Sequence, residues 1–271
     1  MSSSIVSAEV VKCSVYYERS FDFERCGFMA IYLRAADGAY ADKVLVAGDP
    51  GRIARLASRL DGAERITDHR GLVGYTGKYK DVRVSVQSSG MGCPSMAMVG
   101  EELIGYGVRR IVRIGTCSAF GDGVHNGDLI VVTGCAPGDG TTASMSAGTP
   151  CAAVPDFRLT SNLLAAAEAR NGRFHLGPII TVDVEPHLSA VTTVAWRAQG
   201  LLAVEMESAA LFHLALRASQ RGIGRVEAAC ILAVSDGLRG SPSGEQSYMS
   251  DAELESVTDV MHEIALDALI A

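Results

Sequence analysis

Short apolar segments alternate with segments of helical periodicity from residue 43 to the end of the chain. Residues 43–47 form an apolar run, and the apolar side chains after it recur three or four positions apart, as in a strand followed by a helix. The same pattern predicts a strand that starts at residue 111 and stops at the Gly-Thr-Cys-Ser turn 115–118, and further strands at 128–135, 177–184, 201–204 and 228–235. It predicts helices at 96–106, 160–170, 206–217 and 252–270. Strands that alternate with helices predict an α/β fold: three α/β/α layers around a central mixed, largely parallel sheet.

Predictions for four further ranges complete this outline. Residues 1–28 show no steady periodicity and are predicted to be an N-terminal extension, or the product of a start site assigned too far upstream. Residues 29–271 contain no linker or internal repeat and are predicted to form one domain. A turn at 79–82 is predicted to connect two strands, and residues 137–150, rich in Gly, Ser and Thr, predict a mobile surface loop.

The segment 111–118 carries the most informative anomaly. Arg113 interrupts an otherwise apolar strand, and a buried guanidinium needs an anionic partner, although no acidic residue lies nearby in the sequence. Gly115 offers an approachable backbone amide and Thr116 a hydroxyl at the same place. The segment therefore predicts either an anion-binding site at the end of a strand or a core arginine paired with a distant carboxylate.

A second anion-friendly turn follows the apolar run 43–47. Its sequence, GDPGR at 48–52, connects a strand to a helix, and such turns direct backbone amides and a helix N-terminus toward one point. Asp-Pro-Gly is also an ordinary tight turn, so this motif alone is a weak signal. Two such turns in one chain favour anion binding.

Carboxylates end two other predicted strands. Glu205 and Glu207 lie where a strand passes into a helix, and each is also explained as a partner of the helix dipole. Asp236 ends the apolar strand 228–235. A carboxyl group in such a setting is expected to have a raised pKa and to act as a general acid, whereas a cap or turn role before Gly237 is the alternative.

Composition excludes several classes of protein. The 271 residues have a formal net charge of -7 with both signs interspersed, which argues against a nucleic-acid-binding face. The chain has no apolar run long enough for a membrane span and no convincing signal peptide, so we expect a cytoplasmic protein without membrane contacts. The seven cysteines lack metal-ligand spacing, so no metal site is expected.

Six motifs in one order resemble the hexameric class of purine nucleoside phosphorylases, in the superfamily that includes uridine phosphorylase. They are GDPGR, RGLVGYTGKYK, SSGMGCPS, VRIGTCSA, VEMESAAL and VSD. The resemblance covers about residue 30 to the end and looks closest to archaeal and thermophile members that act on purine nucleosides or methylthioadenosine. It implies the nucleoside phosphorylase fold and reversible phosphorolysis of purine ribo- and deoxyribonucleosides, with inorganic phosphate as co-substrate and no cofactor.

The resemblance also implies roles for individual residues. Phosphate would be bound by Gly48, Arg52, Arg113 and Thr116, with Arg70 supplied by a neighbouring subunit of a homohexamer built as a trimer of dimers. Ribose would be bound by Met91, Met206 and Glu207, with Tyr32 supplied across the dimer interface. The base would contact Cys117, Ser118, Val204, Glu205 and Glu185. Asp236 would be catalytic and would donate a proton or hydrogen bond to the purine N7.

This chain departs from the family pattern on the nucleoside side only. Tyr32 stands where many members have a histidine, Glu185-Pro186 stands where the pattern has a Phe-Tyr pair, and no arginine follows Arg239 to assist the acid. A carboxylate at 185 would suit the N1-H of a 6-oxopurine better than the N1 acceptor of adenine. Uridine phosphorylase, methylthioadenosine phosphorylase, a hydrolytic nucleosidase and a non-catalytic nucleoside-binding paralogue stay as alternatives.

Overall fold

The computed structural model describes residues 30–170, 172–184, 190–237 and 248–271. The strands in these ranges are β1 (Lys43–Ala47), β2 (Asp61–Thr67), β3 (Gly74–Tyr79), β4 (Val82–Ser88), β5 (Arg110–Ala119), β6 (Leu129–Gly138), β7 (Phe174–Val182), β8 (Ala203–Glu205) and β9 (Glu227–Gly237). The helices there are α1 (Pro50–Ala57), α2 (Cys93–Gly105), α3 (Gly140–Met145), α4 (Phe157–Glu168), α5 (Ala190–Arg197), α6 (Ser208–Gln220) and α7 (Asp251–Ile270). A short 3-10 turn covers His69–Gly71.

The described strands form one mixed sheet in the order β2-β3-β4-β1-β5-β8-β7-β6-β9. Parallel pairings join β1 to β4 and β5, β5 to β9, and β7 to β6 and β8. Antiparallel pairings join β2 to β3, β3 to β4, β5 to β8 and β6 to β9. The predicted α/β class with a mixed sheet is confirmed. Because β9 pairs with both β6 and β5, the sheet closes on itself through β5, β8, β7, β6 and β9.

Both faces of the sheet are covered by helices. Val44 and Val46 of β1 belong to a core that includes apolar residues of α2 and α6, whereas Leu45 and Ala47 belong to a second core that includes residues of α1, α4 and α7. Successive side chains of a strand point to opposite faces, so a strand buried on both faces reads as a continuous apolar run. This is the pattern that residues 43–47 show.

The predicted turn between β3 and β4 is present. Lys80 and Asp81 both adopt left-handed backbone angles, with φ of 49° and 65°, as a two-residue hairpin connection requires. The residues that flank them pair with each other, Tyr79 with Val82.

The observed elements differ from the prediction where long-range pairing outweighs local signals. The strand β5 does not stop at Gly115, because β9 pairs with it as far as Ala119 and β8 pairs with its last two residues. The predicted loop 137–150 contains α3, whose first turn is capped by the Asp139 carboxylate accepting the Thr142 amide at 2.6 Å. The edge strand β2 was not predicted, because most of its side chains are exposed and show no apolar alternation.

Candidate active site

Arg113 lies in the middle of β5 and is buried, with 3% of its surface exposed. Its Nη2 lies 2.9 Å from a Glu205 carboxylate oxygen and 2.5 Å from a Glu207 carboxylate oxygen. Burial favours the neutral guanidine, but Glu207 and Glu205 outweigh it and raise the pKa of Arg113. A Cβ atom on Gly115 would lie 2.8 Å from Arg113 Nη2, so only glycine leaves room for the guanidinium there.

The distant carboxylates that the sequence left open for Arg113 are therefore Glu205 and Glu207. Glu205 is the last residue of β8, and Glu207 immediately precedes α6. Both follow Arg113 by about ninety residues in the chain, and β8 pairs with the end of β5. Sequence proximity could not have identified this pair. An additional phosphate contact by Arg113 stays a prediction.

Glu205 is enclosed by hydrogen-bond donors. Its Oε2 accepts from Arg113 Nε at 2.9 Å and from the Glu207 amide at 3.0 Å, and the Ser208 amide lies 3.0 Å from both carboxylate oxygens. The Thr181 hydroxyl donates to Oε1. The side chain is 1% exposed, so Glu205 holds the beginning of α6 against β5 and β7.

Glu207 forms fewer contacts than Glu205. Its Oε1 accepts from the Gly92 amide at 2.5 Å, and its Oε2 contacts Arg113. Gly92 immediately precedes α2, so this bond joins the beginning of α2 to the beginning of α6. A carboxylate with two donors retains about two lone-pair positions for other partners.

The GDPGR turn connects β1 to α1, but the amides at the helix N-terminus already have a partner. Asp49 caps α1, because its carboxylate accepts from the Gly51 amide at 2.8 Å and the Arg52 amide at 3.1 Å. Gly48 lies against the turn that follows β4, where a Cβ atom would approach the Gly90 carbonyl oxygen to 3.1 Å. This close approach gives residue 48 a packing reason to be glycine.

The guanidinium of Arg52, on α1, forms no ion pair with a described residue. Arg55 and Arg59 nearby instead contact carboxylates of α7. Burial lowers the pKa of Arg52, with Asp49 opposing this effect and Arg113 adding to it. The charge of Arg113 is thus close enough to affect Arg52, and two neighbouring guanidinium groups are favourable for a polyanion.

Asp236 lies on β9 beside β5, in register with Ser118. Its Oδ1 accepts from the Ser118 hydroxyl at 3.0 Å and from the Ser235 hydroxyl at 2.8 Å. Burial raises the pKa of Asp236, whereas these two hydrogen bonds act in the opposite direction. Ser235 was missed in the sequence, although a hydroxyl next to a candidate acid is a usable signal.

The residues predicted to contact the nucleoside fall into two groups. Met91 and Met206 line an open cavity of about 680 Å³, together with Met98, Met145 and Asp183. Cys117 and Val204 are instead buried among apolar side chains. Thr116, which was predicted to bind phosphate, is partly exposed on β5. Asp183, which accepts from the Gly140 amide at 2.8 Å, was not predicted, although it follows a strand as Asp236 does.

Arg70 and Tyr32 contact each other within this chain. The Arg70 guanidinium lies 5.9 Å from the centre of the Tyr32 ring, and Arg70 has a left-handed backbone with φ of 59°. The Tyr32 amide donates to Glu102 at 2.8 Å, and His69 Nδ1 lies 2.8 Å from the Tyr32 carbonyl oxygen. Glu102, a buried carboxylate of α2 that anchors this group, was not predicted from the sequence.

The remaining expectations concern Glu185, a metal site and a membrane span. Glu185, predicted to contact the base, lies outside the described residues. Within the described ranges no group of three or more His, Cys, Asp or Glu side chains is arranged to hold a metal ion. No helix in the same ranges has the length and apolar character needed to cross a membrane.

Comparison with known proteins identifies relatives along most of the chain. A family model described as "Phosphorylase superfamily" matches residues 42–270. A DeoD-type purine nucleoside phosphorylase of Myxococcus xanthus is 37% identical over 238 residues, which cover 87% of this chain and 95% of the relative. DeoD-type purine nucleoside phosphorylases of Shewanella loihica and Actinobacillus succinogenes are each 34% identical, over 88% and 89% of this chain and 98% of each relative.

Proposed function

The chain belongs to the phosphorylase superfamily, and on that premise we propose that it catalyses reversible phosphorolysis of purine nucleosides to free base and ribose or deoxyribose 1-phosphate. The observation that carries the proposal is the pairing of β5 with β9. This pairing puts Asp236 of β9 beside Ser118 of β5, and β5 also carries Arg113 and Thr116. A candidate acid and a candidate anion site therefore lie at the same edge of the sheet. In parallel sheets ligands bind at the carboxyl ends of strands.

The chemistry needs the groups that this edge provides. Cleavage of the bond between C1′ and N9 develops positive charge on the sugar and negative charge on the base. A phosphate oxygen then forms the new bond to C1′, while Asp236 gives its proton to N7 and the base departs neutral. An anion near C1′ and an acid at N7 both interact more strongly with the transition state than with the substrate, which is the condition for catalysis.

Phosphate would be bound by Arg52, Arg113, Thr116 and the Gly48 amide. Arg52 supports this assignment because it is a partly buried cation that forms no ion pair with a described residue. The ribose would lie between Met91 and Met206, which line one cavity, with its 2′- and 3′-hydroxyls donating to Glu207. The remaining capacity of Glu207, about two lone-pair positions, matches the two hydroxyls of a diol.

Phosphate dependence tests the proposal most directly. Release of free base is measured with purified protein, a purine nucleoside, and zero or saturating inorganic phosphate, and ribose 1-phosphate is assayed as the second product. We expect base release only with phosphate and equal amounts of the two products. Equal rates with and without phosphate would instead establish a hydrolase, and nucleoside binding without turnover would establish a non-catalytic paralogue.

The preferred nucleoside is a further part of the proposal. Glu185 at the edge of the base would accept a hydrogen bond from the N1-H of guanine or hypoxanthine, whereas adenine would leave its charge unpaired. We therefore propose a preference for 6-oxopurine nucleosides. Values of kcat/KM for guanosine, inosine, adenosine, methylthioadenosine and uridine test it in the parent and in Glu185→Gln. Adenosine as the best parent substrate, or a preference unchanged in the variant, contradicts this role of Glu185.

The assembly is proposed to be a homohexamer built as a trimer of dimers, in the cytoplasm. Arg70 supports a shared site, because its exposed guanidinium has no ion pair within the described ranges and lies over Tyr32. Both side chains would reach the active site of the neighbouring subunit, Arg70 toward phosphate and Tyr32 toward the 5′-hydroxyl.

A further inference from the structure

Glu205 has no capacity left for a substrate. Five donor groups converge on its two carboxylate oxygens: Arg113 Nε and Nη2, the Glu207 and Ser208 amides, and the Thr181 hydroxyl. A carboxylate offers about four lone-pair positions. With 1% of the side chain exposed, neither a base nor a sugar reaches these oxygens without displacing a protein donor.

The same contacts determine the orientation of Arg113. Its Nε and Nη2 both lie 2.9 Å from Glu205 Oε2, so the guanidinium is held along one edge and cannot rotate about its long axis. The second contact of Nη2, to Glu207 at 2.5 Å, restrains the same nitrogen further.

Glu205 also determines the position of Glu207. It accepts the backbone amides of Glu207 and Ser208, and this arrangement fixes the first turn of α6. The Gly92 amide then restrains the Glu207 side chain from the other side. One buried carboxylate therefore orients the arginine proposed for phosphate and the carboxylate proposed for the ribose hydroxyls.

We infer that Glu205 is a positioning residue, which holds Arg113 and Glu207 in their binding orientations and does not contact the base. The inference rests on the proposed function and refines it, because it replaces the base contact that the family resemblance implies for Glu205. Its consequence is specific: loss of Glu205 weakens phosphate binding and leaves the choice between purine bases unchanged.

The test compares Glu205→Gln, Glu205→Asp and a control, Glu227→Gln. Glu227 pairs with Arg110 at 2.7 Å where β9 and β5 begin, at the end of these strands opposite to Asp236 and Ser118. For each folded protein, KM for phosphate, KM for nucleoside, and the ratio of kcat/KM for inosine to that for adenosine are measured per active site. We expect KM for phosphate to rise by about tenfold or more in Glu205→Gln, since small misplacements of binding groups have effects of this size.

The remaining readouts separate this inference from its rivals. The inosine-to-adenosine ratio is expected to stay within about twofold of the parent, whereas a larger change would show that Glu205 touches the base. A lower fraction of folded protein with unchanged KM for phosphate would show a purely structural role and also overturn the inference. If Glu205→Gln does not fold, KM for phosphate and the inosine-to-adenosine ratio are measured on Glu205→Asp, which retains the charge and shortens the side chain.

Assays of the parent protein separate failure of the proposed function from failure of the inference about Glu205. Phosphate-independent base release by the parent would contradict the proposed function regardless of any variant. Phosphate-dependent release by the parent, with KM for phosphate unchanged in both Glu205 variants, would contradict the inference alone.

Discussion

Replacement of Asp236 by asparagine removes a transferable proton while it preserves the local structure. The side-chain oxygen of the asparagine retains an acceptor for the Ser118 and Ser235 hydroxyls, which both bind Asp236 Oδ1 in the parent. Burial raises the pKa of Asp236, so its ionised form is disfavoured in the folded state. Any stability that this shift contributes is fully present below the pKa of Asp236 in the unfolded chain. It is lost as pH rises through the pKa of Asp236 in the folded protein. At neutral pH the Asp236→Asn variant is therefore expected to be at least as stable as the parent.

The magnitude follows from the role of the proton. General acid catalysis contributes roughly 10²-fold to 10⁴-fold, so kcat for a purine nucleoside should fall by at least about 100-fold, equivalent to about 2.7 kcal/mol of activation free energy. A nucleoside already alkylated at N7 needs no proton on departure, and the variant should cleave it at nearly the parent rate. The exposed Asp122→Asn is the control for an Asp-to-Asn change away from the site.

The assay is initial-rate phosphorolysis of both substrates across a range of pH. Because the acid must be protonated, the raised pKa of Asp236 extends activity to higher pH than an ordinary carboxyl group allows, and the alkaline decline should be absent in Asp236→Asn. An unchanged kcat on the unmodified nucleoside, or an equal loss on both substrates, would refute the reasoning.

Three further predictions follow from other parts of the structure. Arg52→Ala should raise KM for phosphate by about tenfold or more, whereas Arg59→Ala, which removes two surface ion pairs just after α1, should not. Equal effects of the two substitutions in phosphate titrations would contradict a specific role of Arg52. Burial, with Arg52 and Arg55 adding to it, lowers the pKa of the buried His262 to about 3. The unfolded chain therefore takes up a proton that the folded chain does not, and unfolding free energy should fall by about 1.4 kcal/mol per pH unit as pH drops from about 6.5 toward 3. His262→Leu should lose this dependence in urea titrations at pH 7 and pH 5, and parallel curves for parent and variant would exclude His262 as its source. Light scattering with simultaneous activity measurement should find activity only in oligomers, because Arg70 is proposed to serve a neighbouring subunit; a fully active monomer refutes the shared site.

Local signals in the sequence were sufficient for the main elements of the fold. The apolar run at 43–47 predicted a strand buried on both faces, and the short polar break before Val82 predicted the turn that Lys80 and Asp81 form. Such signals arise from backbone preferences and side-chain periodicity within a few residues, so they can be read without knowing the tertiary structure. The order of the six motifs likewise indicated the family that the comparisons confirm.

Features that depend on sheet order could not be read in the same way. The strand β2 has little apolar periodicity and exists because β3 pairs with it. A strand at 201–204 was predicted, but the position of β8 between β5 and β7 was not. Residues 140–145 resemble a loop in composition but form a helix capped by Asp139. The strands gain their hydrogen bonds from partners that a local sequence window does not contain, whereas the helix is capped by its sequence neighbour Asp139.

The candidate site shows the same division between residue type and partner. The sequence identified Arg113 as a buried charge that needs an anion, because desolvation of an unpaired guanidinium is costly wherever it occurs. Only the tertiary structure decided that Glu205 and Glu207 meet this need and that Asp236 lies beside Ser118. Desolvation is a property of one side chain and its local strand, whereas the identity of the compensating group depends on which strands the fold brings together.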